Sequence, residues 1–139
     1  MHRSDTRVSE LMSRGAIAVD EKLTLRSVCA VLAADDIGVV LIARPDGSAG
    51  VVSERDIVGA LAEGADPDEV WAADVMSEEL VIAEPQETIA AVAARMAEEH
   101  VRHIAVVDRG RVVGVVSARD AIDVIGVDPR SLAALVALL

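Results

Sequence analysis

The chain repeats itself. Gly50-Val51-Val52-Ser53-Glu54-Arg55-Asp56 returns as Gly114-Val115-Val116-Ser117-Ala118-Arg119-Asp120, a shift of 64 positions from Asp56 to Asp120. The same shift, without a gap, lays Met12-Ser13 on Met76-Ser77, Thr24 on Thr88 and Val28 on Val92. It also places Val40-Leu41-Ile42 over Ile104-Ala105-Val106. A unit of about 60 residues is too small to bury a comfortable core alone. Two copies packed on each other around a pseudo-two-fold axis are therefore expected.

Each copy carries the same run of local signals. A short apolar strand at 16–19 or 80–83 leads to Thr24 or Thr88, each placed as a helix N-cap. Leu25, Val28, Cys29 and Leu32 follow in one copy, and Ile89, Val92, Ala93 and Met96 in the other. This i, i+3, i+4, i+7 spacing predicts a helix with one buried face, Cys29 included. The aliphatic runs at 39–42 and 104–107 are too short for helices and suit buried strands. Pro45-Asp46-Gly47 and Arg109-Gly110 supply the turns. The return strands end in Ser53 and Ser117, which open second helices at 54–61 and 118–125. The order is β-α-β-β-α, twice, which predicts an α/β (α+β) fold.

The expected boundaries are a first motif at 8–62, a linker at 63–72, a second motif at 73–126 and a tail at 127–139. Gly64 can end a helix, and Asp66-Pro67-Asp68-Glu69 reads as N-cap, first-turn Pro and N3 Glu. A short linker helix around Val70-Trp71 is expected, with Trp71 packed against the lobes. The tail reads as an apolar helix, either a flap on this chain's own surface or a dimer contact.

Composition narrows the function classes. The net charge is −11 and aromatics are 1%, a single Trp71. Excess negative charge with no stacking platforms disfavours nucleic-acid binding, and an anionic membrane surface equally. The single Cys29 cannot form an internal disulfide. The polar opening Met1-His2-Arg3-Ser4-Asp5 does not read as a signal peptide. The longest apolar run, 132–139, is far below the roughly 20 residues that span a bilayer. A soluble, cytoplasmic chain is expected.

The doubled Gly-Val-Val-Ser-x-Arg-Asp, the element order and Val101-Arg102-His103-Ile104-Ala105-Val106-Val107-Asp108 resemble a tandem cystathionine-β-synthase (CBS) domain pair, or Bateman module. The resemblance runs from about Val8 to Ile125. The linker stretch Leu61-Ala62-Glu63-Gly64-Ala65-Asp66-Pro67 is also similar to that of stand-alone actinobacterial CBS proteins of the hypoxic-response type.

The resemblance implies a regulatory, non-enzymatic module. Clefts between paired motifs would bind AMP, ADP, ATP, S-adenosylmethionine or NAD as regulatory ligands, with no cofactor required. The Ser-x-x-Asp pattern is matched by Ser53 with Asp56 and by Ser117 with Asp120. A carboxylate can accept two hydrogen bonds from a ribose diol, and a helix N-terminus suits a phosphate. The same pattern is also a capping box, in which both side chains satisfy backbone N–H groups. Two copies in register favour a ligand role, and capping and binding are compatible.

By the same resemblance, Arg102, His103 and Arg119 of the second copy would approach a phosphate opposite Ser53, Arg55 and Asp56. In the reciprocal cleft, with Ser117 and Asp120, the counterparts of Arg102 and His103 are Gly38 and Val39, leaving only Arg55. Unequal clefts are the expectation. Output would come through a homodimer or an effector protein. The alternative is a structural or interaction dimer with vestigial, empty clefts.

His100 and His103 form a His-x-x-His that straddles a helix-to-strand boundary, with no Cys or further His near in sequence, so a metal site is not expected. No P-loop, Gly-x-Gly-x-x-Gly or Ser-His-Asp set is present, and a small hydrolase has no catalytic constellation to rest on.

Overall fold

The computed structural model describes residues 5–11, 17–78 and 80–125. The tail at 127–139, the Met12-Ser13 pair and the first residue of the strand expected at 16–19 lie outside them. Among the described residues twelve elements follow in chain order: α1 Val8–Leu11, β1 Ala18–Asp20, α2 Leu25–Asp35, β2 Val39–Ala43, β3 Ala49–Ser53, α3 Glu54–Ala62, α4 Ala72–Val75, β4 Ile82–Ala83, α5 Ile89–Glu99, β5 His103–Asp108, β6 Arg111–Ser117 and α6 Ala118–Ile125. They build a mixed α/β chain with two three-stranded sheets, ordered β1-β2-β3 and β4-β5-β6.

Each sheet has a parallel pair, which needs a crossover, and an antiparallel pair, which does not. β1 runs parallel to β2 with Val19 opposite Ile42, and α2 is the crossover. β2 and β3 form a hairpin with Val40 opposite Val52. The second sheet repeats this with α5 between β4 and β5, and with Ile104 opposite Val116.

The helix signals act as read. The Thr24 hydroxyl accepts from Ser27 N–H at 3.3 Å, and that of Thr88 from Ala91 N–H at 3.2 Å. Each such cap is worth about 1 kcal/mol. α2 and α5 end where Asp36 (φ 51°) and His100 (φ 55°) turn left-handed, 64 positions apart. The N–H groups of Ile37 and Val101 then reach back to Leu32 and Met96 carbonyls.

The two aliphatic cores match position by position. Leu25, Val28, Leu32, Val40, Ile42, Val52, Ile57 and Ala72 are buried in the first unit. Their equivalents Ile89, Val92, Met96, Ile104, Val106, Val116, Ala121 and Val8 are buried in the second. Where Ile57 shrinks to Ala121, Ala72 grows to Val8, so volume lost on one side chain returns on another.

That last pairing shows an exchange. The compact units are Ile17–Leu80 on one hand, and on the other the segment holding α1 joined to the described residues from Val81 to Ile125. α1 opens the first repeat in sequence yet completes the core of the second. Val8 and Ser9 N–H donate to the Glu87 and Pro85 carbonyls at 2.9 Å each, and Ile89 N–H donates to Thr6 O at 2.8 Å. α4 does the same for the first unit, with Leu25 N–H donating to Val70 O at 3.0 Å and Ala72 N–H to Leu23 O at 2.7 Å.

Three expectations are corrected. No helix forms around Val70-Trp71: Asp66 caps a turn by accepting from Asp68 N–H at 2.9 Å, and the helix begins at Ala72. The turn wins because Trp71 is held extended in a bridge to Thr24. Trp71 is 44% exposed, with the Lys22 ammonium 5.9 Å from its ring. Cys29 is exposed, because α2 buries only its Leu25-Val28-Leu32 row while α5 also buries Ala93.

Candidate functional site

The Gly-Val-Val-Ser-x-Arg-Asp motif is best read residue by residue. Gly50 is a glycine because the chain at Met76-Ser77 lies against it. A Cβ there would stand 2.8 Å from Met76 Sδ and 3.0 Å from Ser77 O. Ser77 pairs with Val51 through hydrogen bonds of 2.9 and 3.0 Å, which closes the free edge of β3. Val52 is a core residue. The strand then meets α3 at Ser53.

Ser53 and Asp56 form a reciprocal capping box. Asp56 Oδ2 accepts from Ser53 N–H at 2.8 Å, and Ser53 Oγ accepts from Asp56 N–H at 3.2 Å. Ser117 and Asp120 repeat it at 3.1 and 3.0 Å. In both copies the capping role is therefore real. Asp56 Oδ1 and Asp120 Oδ1 have no hydrogen-bond partner among the described residues. Each carboxylate can thus cap with one oxygen and offer the other. The guanidinium groups of Arg55 and Arg119 stand exposed in the first turns of α3 and α6.

The strand opposite supplies the rest of each corner. His103 opens β5 directly across from Ser117, and the Arg102 carbonyl accepts from Ala118 N–H at 2.7 Å. Arg102, His103, Ser117, Arg119 and Asp120 thus share one corner of the second unit. The first unit has the same backbone: Val39 lies across from Ser53, and Gly38 O accepts from Glu54 N–H at 3.0 Å. The structure gathers the predicted site residues into these two corners, Ser53, Arg55 and Asp56 in one and the other five in the second.

Glu54 is the residue the motif comparison passed over. Its carboxylate stands over Gly38, with Oε1 3.6 Å from where a Cβ would be. In the second unit the residue types are inverted, with Arg102 at the position of Gly38 and Ala118 at that of Glu54. The first corner carries two carboxylates and one guanidinium, formally −1; the second carries two guanidiniums and one carboxylate, formally +1 with His103 neutral. The signal was present in the sequence as Glu against Ala at the second position of Ser-x-x-Asp.

The polar chemistry away from the corners is structural. Arg44 joins Glu21 at 3.2 Å and Glu78 at 2.6 Å, tying the β2–β3 hairpin to the segments that follow β1 and α4. Arg26 pairs with Asp68 at 2.5 Å, whose hydrogen bond holds the Asp68 carboxyl below its usual range. Glu87 is likewise held low, first by its hydrogen bonds from Arg95. Among the described residues, no three His, Cys, Asp or Glu side chains are grouped to hold a metal. No helix among them is long and apolar enough to cross a membrane.

Comparison with known proteins agrees with this architecture. The chain is 29% identical over 117 residues to hypoxic response protein 1 of Mycobacterium tuberculosis, covering 83% of this chain and 82% of that one. It also matches proteins MK0525 of Methanopyrus kandleri and MJ1225 of Methanocaldococcus jannaschii, at 28% and 27% identity. It covers 84% and 87% of itself in doing so, but spans only 61% and 43% of their lengths.

Among solved structures, CBS domain protein TA0289 of Thermoplasma acidophilum superposes with a TM-score of 0.84 at 24% identity, over 96% of this chain and 75% of that one. CBS domain protein PAE2072 of Pyrobaculum aerophilum, solved in complex with AMP, gives a TM-score of 0.76 at 30% identity, over 94% and 98% of the two chains. The CBS domain family model matches twice, at residues 8–63 and 72–127. With its doubled motif, paired sheets and repeated capping corners, the chain belongs to the CBS domain family as a tandem pair.

Proposed function

We propose that this CBS pair is a non-catalytic sensor of an adenosine-containing ligand, with AMP, ADP or ATP favoured over S-adenosylmethionine or NAD. The observation that carries the reading is the corner formed by Arg102, His103 and Arg119, a local excess of cations on a chain of net charge −11. The AMP complex of the 30% identical PAE2072 supports the same ligand class.

In this proposal Ser53 and Asp56 hold the ribose, through the carboxylate oxygen that capping leaves over. Arg102, His103 and Arg119 are proposed to serve its phosphate, with Arg55 as a further cation. Ser117 and Asp120 belong to a second, poorer site that has Arg55 as its cation. Binding favours the arrangement of the two repeats that suits the ligand, and a second copy of the chain or an effector protein reads the shift. The module works in the cytoplasm, where such nucleotides are found.

Thermal denaturation against AMP, ADP, ATP, S-adenosylmethionine and NAD tests this. A ligand at ten times its Kd stabilises by about 1.4 kcal/mol, a shift on the order of 3–6 °C for a chain of this size. No shift with any of the five at millimolar concentration contradicts the proposal. That outcome would favour a purely structural dimer, a reading supported by the use of both Ser-Asp pairs as capping boxes.

A further inference from the structure

We infer that Glu54 is a specificity-determining residue of the second, poorer site, excluding phosphate from the space beside Gly38 and suiting that site to an adenosine compound that is neutral or cationic. The inference rests on the proposed ligand class and adds a residue and a charge rule to it. Three observations carry it.

The first is the shared backbone. Glu54 N–H to Gly38 O and Ala118 N–H to Arg102 O are the same bridge in the two units, at 3.0 and 2.7 Å. A ligand group reaching either bridge therefore meets equivalent main chain, and only the side chains distinguish the two. The second is the inversion of those side chains. In the second unit the large side chain belongs to Arg102, the residue before β5, and is a guanidinium. In the first it comes from the helix and is a carboxylate, seated over the space that Gly38 leaves open.

The third is that Glu54, which is exposed, is in no ion pair among the described residues. Helix-dipole stabilisation alone would account for a carboxylate in the first turn of α3. It does not set the direction of the carboxylate, which lies toward the start of β2 over Gly38. An anionic ligand group beside Gly38 meets the net negative charge of that corner, a cationic one meets a partner, and a neutral one is indifferent.

A charge ladder of ligands on one adenosine scaffold tests this: AMP, adenosine and S-adenosylmethionine, titrated calorimetrically to millimolar concentration into wild type and Glu54→Gln. For the weaker class of sites, E54Q should bind AMP about five-fold more tightly and S-adenosylmethionine about five-fold more weakly, the size expected for one partly screened unit charge. Adenosine should change less than about two-fold, and the differences should shrink in 1 M salt. The double variant Gly38→Arg/Glu54→Ala, which copies the second corner, should bind AMP more tightly still. If all three ligands shift together, or none shifts, the inference is overturned while the adenosine-sensor reading stands. If wild type binds none of them, both fall. Glu54→Gln keeps the side chain's shape and removes no hydrogen bond found among the described residues, and a melt within about 2 °C of wild type confirms its fold.

Discussion

Ser53 and Asp56 hold each other's main chain: the Asp56 carboxylate accepts from Ser53 N–H at 2.8 Å and the Ser53 hydroxyl from Asp56 N–H at 3.2 Å. The residues proposed to read a ribose are thus also the residues that start α3. Ser53→Ala should cost about 1 kcal/mol of stability, and Ser117→Ala a similar amount, by urea denaturation. A loss below about 0.3 kcal/mol in both would mean that the boxes do not bear on stability.

The glycines of the first unit separate close approach from convenience. Gly50→Ala must displace Met76 or break the Ser77 pairing, and should destabilise by about 1–3 kcal/mol. Gly59, inside α3, has nothing within 4 Å of its would-be Cβ. Gly59→Ala should stabilise by about 0.5–1 kcal/mol through helix propensity. Chemical denaturation of both variants should show opposite signs.

Val8 tests the exchange of lead-in segments. It is fully buried among Ile89, Val92, Ile104 and their neighbours, far from it in sequence. Val8→Ala should cost about 1–3 kcal/mol, and hydrogen exchange should report the loss in β5 and β6. Unchanged stability would show that α1 does not complete that core.

The Glu87–Arg95 pair gives an acid dependence of known sign. Glu87 has its carboxyl lowered by hydrogen bonds from Arg95, so its contribution is present above the ordinary Glu range near 4.5 and is lost as pH falls through its lower folded value. Both side chains are about one-third exposed, at 27% and 32%, so solvent screening keeps the contribution below about 1 kcal/mol. Arg95→Gln should lower stability slightly at pH 7 and flatten the decline below pH 4.5. An acid limb identical to wild type would contradict the pairing.

Much of the fold was legible because its determinants are local. Thr24 and Thr88 announce their helices, Arg109-Gly110 its hairpin, and the 3.6-residue spacing the buried faces. What escaped was long-range. Nothing near Val8 indicates that its partners begin at Ala83, and nothing near Gly50 indicates Ser77. Cys29 sits at a helical spacing that α5 buries and α2 leaves exposed, a difference set by neighbouring elements. The bulge opposite Val106 and Val107, which leaves Val113 exposed, compensates for a second hairpin loop shorter than the first. At the site, residue types and register were readable. The inversion of Gly38-Glu54 into Arg102-Ala118 acquires meaning only once a main-chain hydrogen bond joins strand to helix.

Calorimetric titration of AMP into Asp56→Asn and Asp120→Asn tests the unequal sites most directly. Asn retains an acceptor for the capping box while losing the charge and acceptor strength offered to a ribose. The account predicts that D56N weakens the tighter class of AMP sites by about ten-fold or more, and that D120N changes it by less than about three-fold, in line with the strength of charge-assisted hydrogen bonds. Equal losses in the two variants would contradict it.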